Sequence, residues 1–416
     1  MRARTIHSGR ARRSKASSSG FRWDLPYPRT ASLDGPRIGL AVFLPGRWRR
    51  ARRTISPGDN RLGVKIAILV GTRPELVQAE PLLRTTARQH TALFIHTGQH
   101  YDRSMSELIR RSVGLRKPRY VLGVGSASHA EQTARVMERL GPVLEKERPD
   151  CVLVFGDTNS TLAGALTASK LGIPLAHVEA GLRSYNRSMP EELNRITVDH
   201  LSDFLFCPTA NSVRNLRKEG IRRGVHLVGD VMYDSARHWH RAARARDLPR
   251  RLGLEREAYL LLTLHRPGNV DDPRVLSRVL RTVAKSDRFV LFPIHPRTRA
   301  RLRQSSDGKP LPGNLRIVEP LSYLDFLSAL MNSKMVLTDS GGVQKQAYFF
   351  RIPCVTLRRE TEWVETVETG WNTLVGTDSR ALLRAIRDFR PARRHPELYG
   401  NGHAAAHIVR VLEKNL

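Results

Sequence analysis

Short apolar runs alternate with stretches of helical period along most of this chain. The runs at 65–70, 92–96 and 151–155 have the length of strands, whereas 127–146 carries apolar residues at helical spacing. A second series of runs follows, at 259–264, 289–294, 315–318, 335–338 and 353–357. Strands that alternate with helices favour a parallel sheet covered by helices on both faces. The pattern predicts an α/β protein with two Rossmann-like, doubly wound domains facing each other across a cleft.

Composition sets the first 63 residues apart from the rest of the chain. They hold 15 basic and 3 acidic residues, so they supply +12 of the net charge of +31 carried by the 416 residues. Arginine clusters, serines and prolines occur there without an amphipathic period, and such a segment buries too little apolar surface to fold. We therefore expect residues 1–63 to be a disordered basic extension.

The remaining composition argues against several classes of protein. The basic excess is nearly all arginine and no nucleic-acid module accompanies it, so we expect no nucleic-acid partner. No apolar run has the length needed to span a bilayer, so we expect no membrane association. Cys151, Cys207 and Cys354 lie far apart without metal-site spacing, and we expect them to be small buried residues. A cytoplasmic enzyme fits these features.

Acidic residues stand where predicted strands end. Asp157 and Glu179 each follow an apolar run, and Glu191 opens a predicted helix. The carboxyl ends of parallel strands meet at the ligand crevice of an α/β protein, so we expect these carboxylates to act in catalysis. His177 lies two residues before Glu179 on the same strand face and is expected to orient that carboxylate.

Other segments carry groups suited to an anion. Ser340, Gly341 and Gly342 connect a strand to a helix, and the free N–H groups of such a turn suit a diphosphate; a plain turn with a capping serine has the same pattern. Arg73 could clamp phosphate or pair with the nearby Glu75. Arg195 follows Glu191 by one helical turn, so we expect an ion pair there or an arginine that also touches phosphate.

These segments closely resemble the family of non-hydrolysing UDP-N-acetylglucosamine 2-epimerases. Two further stretches, 229–234 and 361–365, look most like a subgroup that includes epimerases of UDP-2,3-diacetamido-2,3-dideoxyglucuronic acid. The resembling motifs follow the family's order from about Val64 onward: Gly71-Thr72-Arg73-Pro74-Glu75, Thr97-Gly98-Gln99-His100, Gly156-Asp157-Thr158, His177-Val178-Glu179-Ala180-Gly181-Leu182-Arg183-Ser184, Pro190-Glu191-Glu192-Leu193-Asn194-Arg195, His265-Arg266 and Thr338-Asp339-Ser340-Gly341-Gly342.

The resemblance implies a glycosyltransferase-B type architecture with defined domains. We expect an N-terminal Rossmann-like domain at 64–230 and a C-terminal, UDP-binding one at 231–395. A last helix within 396–416 would pack back on the first domain. Because the resemblance opens at Val64, we also expect translation to start there.

The resemblance also assigns roles to individual residues. The catalytic groups would be Asp157, Glu179, Glu191 and His265. The phenyl ring of Phe326 would stack on uracil, although its helical spacing with Leu330 also suits a core residue. The groups that bind the UDP-sugar would be Arg73, Gln99, Arg195, Phe326, Ser340, Gly341, Gly342 and Gln346.

The implied reaction interconverts UDP-N-acetylglucosamine and UDP-N-acetylmannosamine by elimination and re-addition of UDP, with no metal or redox cofactor and in a homodimer. Gln78, Gly268 and Gln346 depart from the family pattern, and we expect altered nucleotide affinity from them. Three other reactions stay open: 2-epimerisation of UDP-2,3-diacetamido-2,3-dideoxyglucuronic acid, transfer of a sugar from UDP by a glycosyltransferase of the same fold, and hydrolysis that releases free N-acetylmannosamine.

Overall fold

A computed structural model describes residues 63–99, 103–305 and 313–416 of the chain. The predicted extension at 1–63 lies outside the described residues except for Gly63. His100 of the Thr97-Gly98-Gln99-His100 motif also lies outside them. These described residues belong to one compact unit that contains two parallel sheets. No helix in these described ranges is both long and apolar enough to cross a lipid bilayer.

The first sheet has seven parallel strands in the order β3-β2-β1-β4-β5-β6-β7. Each strand is followed by a helix that returns the chain to the starting edge, which is the crossover that parallel strands require. The elements are β1 (Lys65–Val70), α1 (Arg73–Thr86), β2 (Thr91–His96), α2 (Arg103–Ser112), β3 (Tyr120–Val121), α3 (His129–Glu147), β4 (Cys151–Phe155), α4 (Asn159–Lys170), β5 (Leu175–Val178), α5 (Pro190–Leu201), β6 (Phe204–Cys207), α6 (Ala210–Lys218) and β7 (Val225–Leu227).

The second sheet has six parallel strands in the order β10-β9-β8-β11-β12-β13. Its elements are α7 (Val231–Arg246), α8 (Leu248–Arg251), β8 (Tyr259–Thr263), α9 (Pro267–Val270), α10 (Pro273–Ala284), β9 (Phe289–Pro293), α11 (Pro296–Ser305), β10 (Leu315–Val318), α12 (Tyr323–Met331), β11 (Met335–Thr338), α13 (Gly341–Phe349), β12 (Cys354–Thr356), α14 (Val364–Glu368), β13 (Asn372–Leu374), α15 (Ser379–Asp388) and α16 (Ala404–Asn415). The predicted α/β fold with two Rossmann-like halves is confirmed.

The strand order reverses between β1 and β4 in the first sheet and between β8 and β11 in the second. Ligands of α/β proteins bind at such switch points, at the carboxyl ends of the strands. The segments that follow these four strands contain Arg73, Asp157, His265 and Ser340. The topology therefore concentrates the predicted functional groups at the reversal point of each sheet.

The apolar strands are buried on both faces because helices cover each sheet. All five residues of β4 are buried, with Ile66 and Ile68 of the neighbouring β1 in one core and Val152 and Val154 in another. The three cysteines are unpaired and buried, as the sequence predicts, and burial raises the pKa of each thiol.

Two helices tie the halves together. Helix α7 packs against α1 of the first half and α12 of the second, and α16 packs against both α1 and α7. The carboxylate of Asp234 in α7 accepts hydrogen bonds from the backbone N–H groups of Ala404 (3.0 Å) and Ala405 (2.8 Å) at the start of α16. Ile408 and Leu412 are fully buried in the core that both halves share.

Candidate active site

A cleft with a cavity of about 500 Å³ lies between the carboxyl ends of the two sheets. Its volume is that of a small-molecule site. Residues of both halves line it, and nine of the predicted site residues are among them: Arg73, Gln99, Asp157, Glu179, Glu191, His265, Ser340, Gly341 and Gly342. The other three, Arg195, Phe326 and Gln346, are not among the lining residues.

Asp157 is held from two sides at the end of β4. Its backbone carbonyl accepts a hydrogen bond of 2.8 Å from Asn194 Nδ2, and its carboxylate pairs with the buried guanidinium of Arg195. Arg195 also donates from Nη1 to Glu192 Oε2 at 2.6 Å. The sequence favoured a pair between Arg195 and Glu191 as one reading; instead, helix α5 turns the guanidinium inward, behind Asp157.

Glu179 adopts a left-handed backbone conformation with φ of +69°, which is uncommon for a residue other than glycine. A Cβ atom at Gly156 would lie 3.2 Å from Glu179 Oε2, so the glycine leaves room for this carboxylate. Glu179 contacts the ammonium of Lys345, and Gln78 helps to lower its pKa. Burial raises the pKa of Glu179 and the neighbouring carboxylate of Asp230 adds to the rise, although Lys345 opposes it.

His177 does not orient Glu179, contrary to the sequence-based expectation. Its Nδ1 atom lies 2.7 Å from Asp199 Oδ1, and its Nε2 atom lies 2.8 Å from the carbonyl oxygen of Gly156. The ring is fully buried beneath the sheet edge. His177 therefore supports the turn that carries Asp157, whereas Glu179 faces the cleft.

Glu191 meets the second half of the molecule directly. Arg266 Nη1 donates to Glu191 Oε1 at 3.0 Å, and both side chains are partly exposed in the cleft. Arg266 directly follows the predicted catalytic His265, so the signal for it was present in the His-Arg motif. The sequence did not reveal that its guanidinium reaches across to Glu191.

His265 is held by Asp339 at the carboxyl edge of the second sheet. The imidazole Nδ1 lies 3.2 Å from Asp339 Oδ1, and the backbone N–H groups of His265 and Arg266 donate to the same carboxylate. Burial opposes ionisation of Asp339, but His265 and these donors lower its pKa below the ordinary value. The His295 ring lies 5.9 Å from the His265 ring and contacts the guanidinium of Arg73.

The turn between β11 and α13 has the features of an anion site. Ser340 makes no side-chain capping bond to α13, so its hydroxyl is available to a ligand in the partly exposed turn. A Cβ at Gly341 would lie 2.2 Å from Glu362 Oε1, which explains the need for glycine there. The first N–H groups of a helix have no partner within the helix and favour phosphate, and Gly341 and Gly342 at this helix start line the cleft.

Glu362 lines the cleft and was not predicted from the sequence. Burial works against its ionisation, but the guanidinium groups of Arg358, Arg195 and Arg266 outweigh burial and lower its pKa to about 2. Arg358 Nη2 lies 2.9 Å from Glu362 Oε2 in a buried ion pair. Lys345 was also missed, because a charged residue within a helix is most often on its solvent face.

Phe326 and Gln346 are not brought to the cleft wall. Phe326 is half-buried on α12 and packs with the apolar cluster around Leu330, in agreement with the alternative that its spacing left open. Gln346 is buried behind Met232, with Nε2 3.4 Å from the methionine sulfur. Gln78 lines the cleft, while Gly268 is exposed in the short helix α9.

Comparison with known families decides which group of proteins this arrangement belongs to. The family model described as UDP-N-acetylglucosamine 2-epimerase matches residues 84–413. The chain belongs to the UDP-N-acetylglucosamine 2-epimerase family. The match includes both halves and all site segments except the Arg73 turn.

Individual members of the UDP-N-acetylglucosamine 2-epimerase family support the match. A homologue of the epimerase from Methanococcus maripaludis is 43% identical over 84% of this chain and 99% of its own length. The UDP-2,3-diacetamido-2,3-dideoxy-D-glucuronate 2-epimerase of Pseudomonas aeruginosa is 41% identical over 84% and 100%, respectively. The crystal structure of the Methanocaldococcus jannaschii epimerase with UDP-GlcNAc and UDP has a TM-score of 0.80 and 40% identity, and covers 84% of this chain and 100% of that one.

Proposed function

We propose that this member of the family interconverts UDP-N-acetylglucosamine and UDP-N-acetylmannosamine, as an isomerase acting on a nucleotide sugar. One observation carries the proposal: Asp157, Glu179 and Glu191 line the same cleft as the glycine turn that opens α13. A diphosphate on that turn would leave the sugar among the three carboxylates.

The second half of the cleft offers N–H donors to the nucleotide. The backbone N–H groups of Gly341 and Gly342 would receive the diphosphate, whereas the N–H of Ser340 already donates to Thr338 Oγ1 at 3.0 Å. His265 lies at the neighbouring strand end. Arg73 supplies a guanidinium from the first half, where it can form two parallel hydrogen bonds to phosphate oxygens. These groups would stabilise the negative charge that develops on UDP as it leaves.

The chemistry requires the anomeric bond to break. The hydrogen on C2 of the sugar has no adjacent carbonyl to acidify it, so direct deprotonation is too slow at neutral pH. In the proposed reaction the C1–O bond breaks and its electron pair leaves with UDP, while a carboxylate takes the C2 proton. The C2–H electrons form the C1–C2 double bond of 2-acetamidoglucal. UDP then adds back to C1 as a carboxylic acid gives a proton to the opposite face of C2.

The carboxylates suit this division of roles because their surroundings differ. Asp157 is paired with Arg195, and Glu191 faces Arg266, whereas burial and Asp230 raise the pKa of Glu179. Carboxyl groups in different surroundings can divide the acid and base steps of one reaction between them. Gln78, Gln346 and Gly268 leave all three carboxylates in place, so we expect turnover with altered nucleotide affinity.

Proton NMR in D2O tests the function. The enzyme is incubated with UDP-N-acetylglucosamine, and signals of the sugar C2 position are followed. Deuterium at C2 together with UDP-N-acetylmannosamine is the expected result. Release of free N-acetylmannosamine would indicate a hydrolase instead. If UDP-N-acetylglucosamine stays unchanged and exchange appears only with UDP-2,3-diacetamido-2,3-dideoxyglucuronic acid, the latter is the substrate and the proposed function is refuted.

The resemblance further leads us to propose a cytoplasmic homodimer that supplies a precursor for cell-surface polysaccharide. Sedimentation velocity of the purified chain tests the assembly, since a dimer has about twice the mass of the 47.0 kDa monomer. A single species at the monomer mass over the micromolar range would refute the dimer.

A further inference from the structure

Lys345 places an ammonium group at the buried end of the cleft. Its side chain is 1% exposed, and Nζ contacts the carboxylate of Glu179 and lies 2.7 Å from Asp230 Oδ2. The ring of Trp363 lies beneath it, with its centroid 4.6 Å from Nζ. A lysine in such surroundings loses its hydration, and only well-placed carboxylates and an aromatic face can compensate for that loss.

The three charged residues of this cluster come from different parts of the fold. Lys345 lies on α13 of the second half, Glu179 follows β5 of the first half, and Asp230 caps α7 between them. Asp230 accepts a hydrogen bond of 2.7 Å from the Met232 backbone N–H, so its carboxylate is fixed by the start of α7. Lys345 thus links Glu179 to Asp230, which is held at the start of α7 and is not among the residues that line the cleft.

The position of Lys345 within α13 links it to the anion site. It follows Gly341 by four residues, which is about one turn of the helix that begins at the glycine turn. A ligand that seats on the N-terminus of α13 therefore positions the same helix that carries the ammonium. Movement of α13 would shift the anion site and the partner of Glu179 together.

We propose that Lys345 is a positioning residue for the proposed epimerisation: it holds Glu179 as an oriented carboxylate against the sugar, and it ties that orientation to the helix that binds the diphosphate. The inference rests on the proposed function. Lys345 does not touch the reacting atoms in this account, because its ammonium is held by the carboxylates of Glu179 and Asp230.

A pH effect follows from the groups around Glu179. The titratable groups that interact with it include Lys345, Asp230 and the buried Tyr399, and the neutral Gln78 also acts on its pKa. Burial raises the pKa of Glu179, and the positive charge of Lys345 limits the rise. Without that charge the carboxylate holds its proton to higher pH, so the ionised form is lost over a wider acidic range.

The test compares Lys345→Met with Lys345→Arg and with Lys334→Met, an exposed lysine of the same half that serves as the control. In Lys345→Met we expect kcat to fall by about 100-fold, with the acidic limb of the kcat/KM profile displaced upward by about one pH unit. UDP binding should stay within about threefold of wild type, since the donors of the turn remain. Lys345→Arg should return the limb toward its original position, and Lys334→Met should match wild type.

A lower kcat with an unmoved acidic limb would overturn the inference, because a packing defect alone reduces rate without changing that pKa. An inactive wild-type enzyme would instead refute the proposed function. The pairing is then still testable by thermal unfolding of Lys345→Met, Glu179→Gln and the double variant. We expect the double variant to lose less than the two single losses combined; strictly additive losses would overturn the pairing.

Discussion

Arg266 and Glu191 form an ion pair across the cleft, with Nη1 of the arginine 3.0 Å from Oε1 of the glutamate. Arg266 follows the first strand of the second sheet, and Glu191 opens a helix of the first half. Both side chains keep part of their surface exposed, so the pair contributes little to stability. In the proposed reaction, its location beside His265 would let the pair place the Glu191 carboxylate and balance the charge of the leaving UDP.

Arg266→Met should therefore impair turnover more than folding. We expect kcat to fall at least about tenfold, because one cation near the leaving group is lost, while the free energy of unfolding changes by less than about 1 kcal/mol. Steady-state kinetics and urea unfolding of the same preparation measure both quantities. Arg274→Met, which alters an exposed arginine in the same half, is the matched control. Wild-type turnover in Arg266→Met would remove this guanidinium from the mechanism.

Asp157→Asn, Glu179→Gln and Glu191→Gln should each lower kcat by about 10²- to 10⁴-fold, because each carboxylate acts on the reacting sugar. UDP affinity should change little, since the diphosphate site lies on the other wall of the cleft. Stopped assays of C2 exchange and calorimetric titration with UDP separate the two effects. Glu413→Gln changes an exposed carboxylate on α16 and should behave as wild type. A variant that keeps full turnover would exclude its carboxylate from catalysis.

The turn before α13 predicts two different responses in nucleotide binding. Ser340→Ala removes one hydroxyl and should weaken UDP binding by about 1 kcal/mol, or roughly fivefold. Gly341→Ala places a methyl group 2.2 Å from Glu362 Oε1, so we expect a loss of stability of about 1–3 kcal/mol together with weaker UDP binding. UDP titrations and thermal unfolding distinguish the two variants. If both bind UDP like wild type, the segment is a plain turn.

The lowered pKa of Glu362 leads us to predict a specific loss of stability in acid. Its pKa is lowered from about 4.5 to about 2 by the surrounding arginines, against the effect of burial. A carboxylate with a depressed folded-state pKa stabilises the protein above its unfolded pKa, and this contribution is lost as the pH falls from about 4.5 toward 2. Glu362→Gln should flatten the fall in unfolding free energy across that window. Equilibrium unfolding between pH 6 and the onset of acid denaturation measures it, and parallel curves for variant and wild type would contradict the prediction.

The strands and the acidic residues of the cleft could be predicted from the sequence because their signals are local. A strand buried on both faces needs an uninterrupted apolar run, and the runs at Lys65–Val70 and Cys151–Phe155 coincide with observed strands. Asp157 and His265 follow such runs directly, so their place at the sheet edge follows from chain order alone. The resemblance added the family, which the comparisons confirm.

The choice of partners was decided only by the tertiary structure. Helical spacing put Arg195 beside Glu191, but α5, which packs against α4 and β5, directs its guanidinium toward Asp157. Lys345 meets Glu179 across 166 positions of the chain because α13 and the end of β5 face each other between the sheets. The neighbouring sequence determines whether a residue lies on a helix or a strand and which face it occupies. The contacts of a buried charge depend instead on which elements the sheet order brings together. The sequence by itself therefore determined the two halves and the edge where the site lies, and the fold determined which charges face each other within it.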